Sequence, residues 1–218
     1  MIELKDCIGK YIYGKDGAGY EVWAFNLKSY TVEDWGGDLI SEQGIFSTSS
    51  DGYFDVNVSC GDDEYEGDLT ILAAYDTPQE LMDCIMRRFR EELKKAGYDI
   101  DQDPASAQGN SIQGTYYSTI RLSDPKLIGK YVAAKYGHYS HWFFGIQNIK
   151  KTKNDWKIDA LMILNSSSDD DVCTLGKSIT QKIGDMDEVS IYDSPQALLG
   201  NIEGYIKEEM EMTSGLKW

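Results

Sequence analysis

The side chains that could do chemistry are few and scattered. His138 and His141 stand three residues apart in one turn-like stretch, where two imidazoles and a carboxylate would suit a transition metal. No third ligand is indicated nearby, so exposed turn histidines are expected and no metal site is assigned. Asp169-Asp170-Asp171 and the acidic run from Asp62 to Asp68 offer the oxygen ligands that Ca²⁺ and Mg²⁺ prefer. Neither follows the ligand order of an EF-hand loop, so loose surface clusters are expected. Cys7, Cys60, Cys84 and Cys173 form no CxxC pair and have no partner histidines at zinc-finger spacing, which points to buried, reduced thiols. There is no dinucleotide-binding glycine loop, no Walker loop and no nucleophile elbow. Gly14 to Gly19, read as GKDGAG, is expected to be a hairpin turn. No catalytic residue, metal or cofactor is therefore assigned.

Charge is more informative than any motif. The 218 residues carry a formal net charge of −16, and it is unevenly placed. Residues 1–110 hold 9 basic and 23 acidic side chains, net −14, whereas residues 111–218 hold 12 and 14, net −2. From Ser29 to Met86 there are fourteen carboxylates and no lysine or arginine. One reading is a solubilising face. The other is a docking face for a basic partner, because clustered charge steers association and rejects wrong partners. On the second reading the partner-binding candidates are Glu33, Asp34, Asp38, Asp51, Asp55, Asp62, Asp63, Glu64, Glu66 and Asp68. The same charge disfavours direct nucleic-acid binding by this half, since such binding draws much of its affinity from cations on phosphates. Lys150-Lys151-Thr152-Lys153, beside Trp156, is the one basic strip and reads as a turn between strands.

The elements that must position these residues are written twice. Ile8-Gly9-Lys10-Tyr11-Ile12 returns as Ile128-Gly129-Lys130-Tyr131-Val132, and Tyr75-Asp76-Thr77-Pro78-Gln79 returns as Tyr192-Asp193-Ser194-Pro195-Gln196. Trp23 and Phe25 recur as Trp142 and Phe144, and Asp34-Trp35 recurs as Asp155-Trp156, in the same order. Each copy predicts strands followed by one helix. The strands are expected at 10–13, 20–27, 54–59 and 69–75, and at 130–134, 139–146, 156–164 and 189–192, from β-branched and aromatic content. Thr77 and Ser194 are placed as N-caps, Pro78 and Pro195 as first helical residues, and Glu80 as the third member of a capping box that Ala197 leaves incomplete. Leu81, Met82, Ile85, Phe89 and Leu93 form one apolar stripe, with Gly97 as a stop; Leu198, Leu199, Ile202, Ile206 and Met210 form the other.

The predicted class is α+β, a tandem duplication of a mainly antiparallel sheet followed by a C-terminal helix. Residues 1–100 form the first repeat, 101–114 a small, polar linker and 115–218 the second repeat; a single sheet shared between copies is the alternative. No apolar run reaches the roughly 20 residues of a membrane helix and no secretory signal is evident, so a cytoplasmic chain with no membrane contact is expected. The expected function is a non-enzymatic interaction protein that binds a basic macromolecular partner through the acidic first repeat, as an inhibitor, an immunity-type protein or a nucleic-acid mimic. The alternatives are a small-molecule or metal-dependent enzyme with a site between the two repeats and a module that self-associates through its unequal charge.

Overall fold

The strands predicted from β-branched and aromatic residues form, and three more segments join them, one glycine-containing, one acidic and one polar. A computed structural model describes residues 2–33, 36–47, 57–59, 62–65, 69–95, 97–100, 123–136, 140–153, 156–166, 178–182 and 186–218. The first repeat contains β1 (Tyr11–Lys15), β2 (Glu21–Glu33), β3 (Gly36–Ser47), β4 (Asn57–Ser59), β5 (Asp62–Tyr65), β6 (Thr70–Tyr75) and α1 (Pro78–Lys95). The second contains β7 (Tyr131–Tyr136), β8 (Ser140–Lys151), β9 (Trp156–Ser166), β10 (Ser178–Lys182), β11 (Met186–Tyr192) and α2 (Pro195–Ser214). The sheets are separate and antiparallel, ordered β4-β3-β2-β1-β6, with β5 also on β3, and β10-β9-β8-β7-β11. The shared order, β3-β2-β1-β6 against β9-β8-β7-β11, shows that the α+β unit is duplicated and not one sheet divided between copies.

β3, β5 and β10 were not among the expected strands. β3 contains Gly36, Gly37 and Gly44, and its apolar residues come as two adjacent pairs, Leu39-Ile40 and Ile45-Phe46, separated by polar ones, without the alternation that marks a strand. Pairing with β2 over ten register positions makes it a strand. The linker segment 101–111 lies outside the described residues, as do His138, Cys60, Cys173 and Asp169-Asp170-Asp171.

The GKDGAG segment divides between strand and turn. Gly14 and Lys15 belong to β1, and the hairpin closes where the Asp16 amide donates to Tyr20 O at 3.0 Å and the Tyr20 amide to Asp16 Oδ1 at 2.7 Å. Gly14 is needed for close approach: a Cβ there would stand 2.9 Å from Thr70 O, nearer than a side chain tolerates. Opposite it β6 bulges, because Tyr13 pairs with Ala73 and Gly14 with Ile71. Leu72 is passed over in the ladder and is 48% exposed.

The first sheet buries both faces. Ile12, Val22, Ala24, Ile45 and Ile71 pack into an aliphatic cluster that Cys7, Leu27 and Leu39 extend. The other face is aromatic: Tyr13 stacks on Trp23 with centroids 5.4 Å apart, and Phe46 meets Trp23 edge-on at 5.0 Å. Glu21, two residues before Trp23 and so on the same face, receives Arg88 of α1, with Arg88 Nε 3.1 Å and Nη2 2.5 Å from Glu21 Oε1. Every predicted stripe residue of both helices is buried.

The helix starts follow the predicted chemistry. Thr77 Oγ1 accepts from the Glu80 amide at 3.3 Å while Glu80 Oε2 accepts from the Thr77 amide at 3.1 Å, a closed capping box. In α2 the Ala197 amide reaches Ser194 Oγ at 3.2 Å, and Ala197 has no carboxylate to return the bond. Ala197→Glu is expected to raise stability by about 0.5–1 kcal/mol by completing that box. The urea midpoint of the variant checks this, and an unchanged midpoint would contradict it. The first helix stops as expected: Gly97 takes φ +89°, its amide donates to Lys94 O and the Tyr98 amide to Leu93 O, both at 3.0 Å, the paired bonds of a Schellman stop.

The chain forms two compact units whose memberships do not follow the repeats. The first comprises Met1–Arg88 with Glu203–Trp218, and the second comprises Phe89–Ile202.

Candidate functional site

The most strongly repeated residues form a structural joint. Gly9 and Gly129 have φ of +77° and +84°, conformations that favour glycine. Their amides donate to Leu27 O at 2.7 Å and Ile146 O at 2.9 Å. The next residue, Lys10 or Lys130, forms an ion pair with Asp76 or Asp193, the latter at 2.6 Å. Tyr11 then pairs with Tyr75 in the ladder, and Tyr131 with Tyr192. The two repeated motifs therefore meet in each sheet and tie the first strand to the start of the helix. Folding accounts for both.

This joint also narrows the acidic candidates. Of the fourteen carboxylates between Ser29 and Met86, Asp76 is held by Lys10, and Glu80 caps α1. Asp83 accepts from Gln79 Nε2 at 2.8 Å, and Glu42 accepts from Asn26 Nδ2 at 2.9 Å. The remaining ten are the predicted partner-binding residues. Asp34, Asp51, Asp55, Glu66 and Asp68 lie outside the described residues.

The other five gather at one corner of the first sheet. Glu33 ends β2 opposite Gly36, Asp38 stands on β3 opposite Thr31, and Asp62, Asp63 and Glu64 make up most of β5. In the β3–β5 ladder Asp38 faces Glu64, Leu39 faces Asp63 and Ile40 faces Asp62. Strand spacing and rise place all five positions within about 10 Å across the strands and about 14 Å along them, a patch about two screening lengths from corner to corner at physiological salt, with neighbouring rows well inside one. Lys28, exposed beside the last of these rows, is the nearest basic residue along β2. Glu64 and Asp38 put two formal negative charges at directly opposed positions, an arrangement that weakens an antiparallel pair. Charge on a strand of this kind also blocks edge-to-edge pairing with another chain.

The remaining candidates have structural roles or lie partly outside the described residues. His141 belongs by its backbone to β8, opposite Lys135 and Ser166. Among the described residues no three His, Cys, Asp or Glu side chains converge as a metal site. Cys7 and Cys84 are buried free thiols. Burial, followed by the charge of Asp6, holds the Cys7 thiol above its usual range, opposite to the shift that activates a cysteine. The basic strip ends β8, with Lys151 Nζ 5.8 Å from the centre of the Trp156 ring and Lys150 paired with Asp159. Hydrogen bonds from Lys150 and Thr180 hold the Asp159 carboxyl below its usual range.

The second unit has an open recess of about 170 Å³ beside Tyr98, Lys130, Tyr131 and Gly145. The Tyr98 hydroxyl donates to Leu161 O at 3.2 Å, and Lys130 is engaged by Asp193. This volume is below the roughly 300–1,000 Å³ of small-molecule sites. Sequence reasoning did not identify the recess, because Tyr98 follows a helix stop and meets Tyr131 from 33 positions earlier in the chain. Comparison with family models, curated proteins and solved structures found no match. Among the described residues no helix is long and apolar enough to cross a membrane.

Proposed function

We propose that the chain is a non-enzymatic interaction protein that docks a basic macromolecular partner on the acidic corner formed by the β2–β3 tip and β5. The observation that carries this reading is the gathering of Glu33, Asp38, Asp62, Asp63 and Glu64 on three adjoining strands, with Asp38 and Glu64 directly opposed. Like charges so placed weaken the isolated sheet, and a cationic partner would relieve that repulsion. In its most specific form the partner is a basic, nucleic-acid-handling protein. Carboxylates would then take the positions of phosphates, and the chain would act as an inhibitor or immunity-type protein. A cytoplasmic location belongs to the same proposal.

The variant D38N/D62N/D63N/E64Q is expected to be as stable as the parent or up to about 1 kcal/mol more stable, because opposed charges are removed. Partner capture should be abolished. Capture is measured from host lysate across a salt series, where the parent should retain partners at low salt and release them as salt rises. Partners retained equally by the neutralised variant, or none captured by the parent at low salt, would refute the proposal.

A further inference from the structure

We infer that the two repeats are obligate complements with exchanged helix ends, so that each compact unit needs a segment of the other repeat and the linker at 101–111 is dispensable once the chain has folded. The first unit is completed by Glu203–Trp218. Within it Ile206, Met210 and Leu216 are buried, Trp218 meets Phe25 edge-on at 6.3 Å, and Lys207 Nζ donates to Gln79 Oε1 at 3.1 Å. Lys207 also lies 5.1 Å from the centre of the Trp218 ring, and Trp218 Nε1 donates to Lys207 O at 3.2 Å. The second unit begins at Phe89. Within it Phe89, Leu93 and Ile100 are buried, and Tyr98 bonds Leu161 O and lies 6.2 Å from Tyr131.

An apolar segment seated on a surface built by another repeat resembles a subunit interface in its chemistry, with buried aliphatic side chains, few polar bonds and an aromatic side chain at the rim, Trp218, which is 37% exposed. Covalent linkage supplies only effective concentration to such a contact. The surface around Phe25 and Gln79 thus fits one occupant, the segment 203–218, whether from the same chain or from a second copy.

The test uses the full chain with a protease recognition sequence placed within residues 101–111. After cleavage of the folded protein, the two fragments should travel as a 1:1 complex at micromolar concentration, with the spectrum of the uncut chain and a concentration-dependent melting temperature. Trp218→Ala in the cleaved protein should weaken fragment association at least tenfold. Fragments that separate with each still folded would show self-contained repeats and overturn the inference. So would unfolding on cleavage, which would make the linker essential, or a fragment affinity indifferent to Trp218.

Discussion

Arg88→Ala is expected to destabilise the protein by about 3–5 kcal/mol, the cost of leaving a buried charge without its counter-ion. The Glu21 side chain is 9% exposed and Arg88 21%, so neither charge is dissolved in bulk water. The guanidinium approaches the carboxylate through both Nε and Nη2, a fork that a single ammonium cannot reproduce. Lys15 stands 4.0 Å from the same carboxylate and is 43% exposed; its partial compensation should hold the loss toward the lower end of the range. Arg88→Lys should lie between parent and alanine. The double variant E21L/R88L should recover most of the loss, because a buried ion pair exchanged for apolar side chains of similar volume is often neutral. Urea unfolding of the four proteins decides it. If Arg88→Ala costs under about 1 kcal/mol, the pair behaves as a surface bridge. A double variant as damaged as Arg88→Ala would show that packing, and not charge, is what Arg88 supplies.

That ion pair marks the limit of what the chain reveals when read linearly. Thr77, Pro78 and Glu80 announce a helix start because all partners lie within four residues, and the stripes through Phe89 and Ile206 announce a buried face because helical periodicity is local. The partner of Arg88, by contrast, is 67 positions away, and nothing in the spelling around Glu21 points to it. Periodicity likewise shows that Phe89 and Met210 are buried but not which sheet buries them, so the exchange of helix ends is invisible before the fold is known. β3 was obscured because Gly44 sits beside a bulge that passes over Asn26, whose φ is +56°. The Gly-Lys-Tyr and Tyr-Asp-Thr-Pro-Gln motifs were each legible, but their meeting through Lys10 and Asp76 was not. The acidic candidates were legible as charge, while their common corner required the β3–β5 register.

Alkali should unfold this protein unusually steeply, and tyrosine burial is the reason. Burial is the leading cause that raises the phenols of Tyr11, Tyr13, Tyr75, Tyr98, Tyr131 and Tyr192. Tyr13, stacked on Trp23 and beside Glu21, is pushed up to about 12. An unfolded tyrosine releases its proton near pH 10. Between about pH 10 and 12, therefore, the native state holds a proton at Tyr13 that the unfolded state has lost, and stability falls as pH rises. The contribution is fully present below about pH 10 and gone by about pH 12, a loss on the order of 2–3 kcal/mol for this residue alone. The other raised phenols add in the same direction. Urea midpoints should thus be nearly flat from about pH 7 to 9 as far as tyrosine is concerned, then drop by more than about 1.4 kcal/mol per pH unit, with the tyrosinate absorbance of the six raised phenols appearing together with unfolding. Lysines also lose charge in this range, so Tyr13→Phe separates the causes: it keeps the ring on Trp23, removes the ionising group and should make the decline shallower by about 1.4 kcal/mol per pH unit. An identical decline in Tyr13→Phe, or tyrosinate absorbance near pH 10 that the folded parent shows and folded Tyr13→Phe lacks, would show that this ring is open to water and contradict the buried packing of Tyr13 against Trp23.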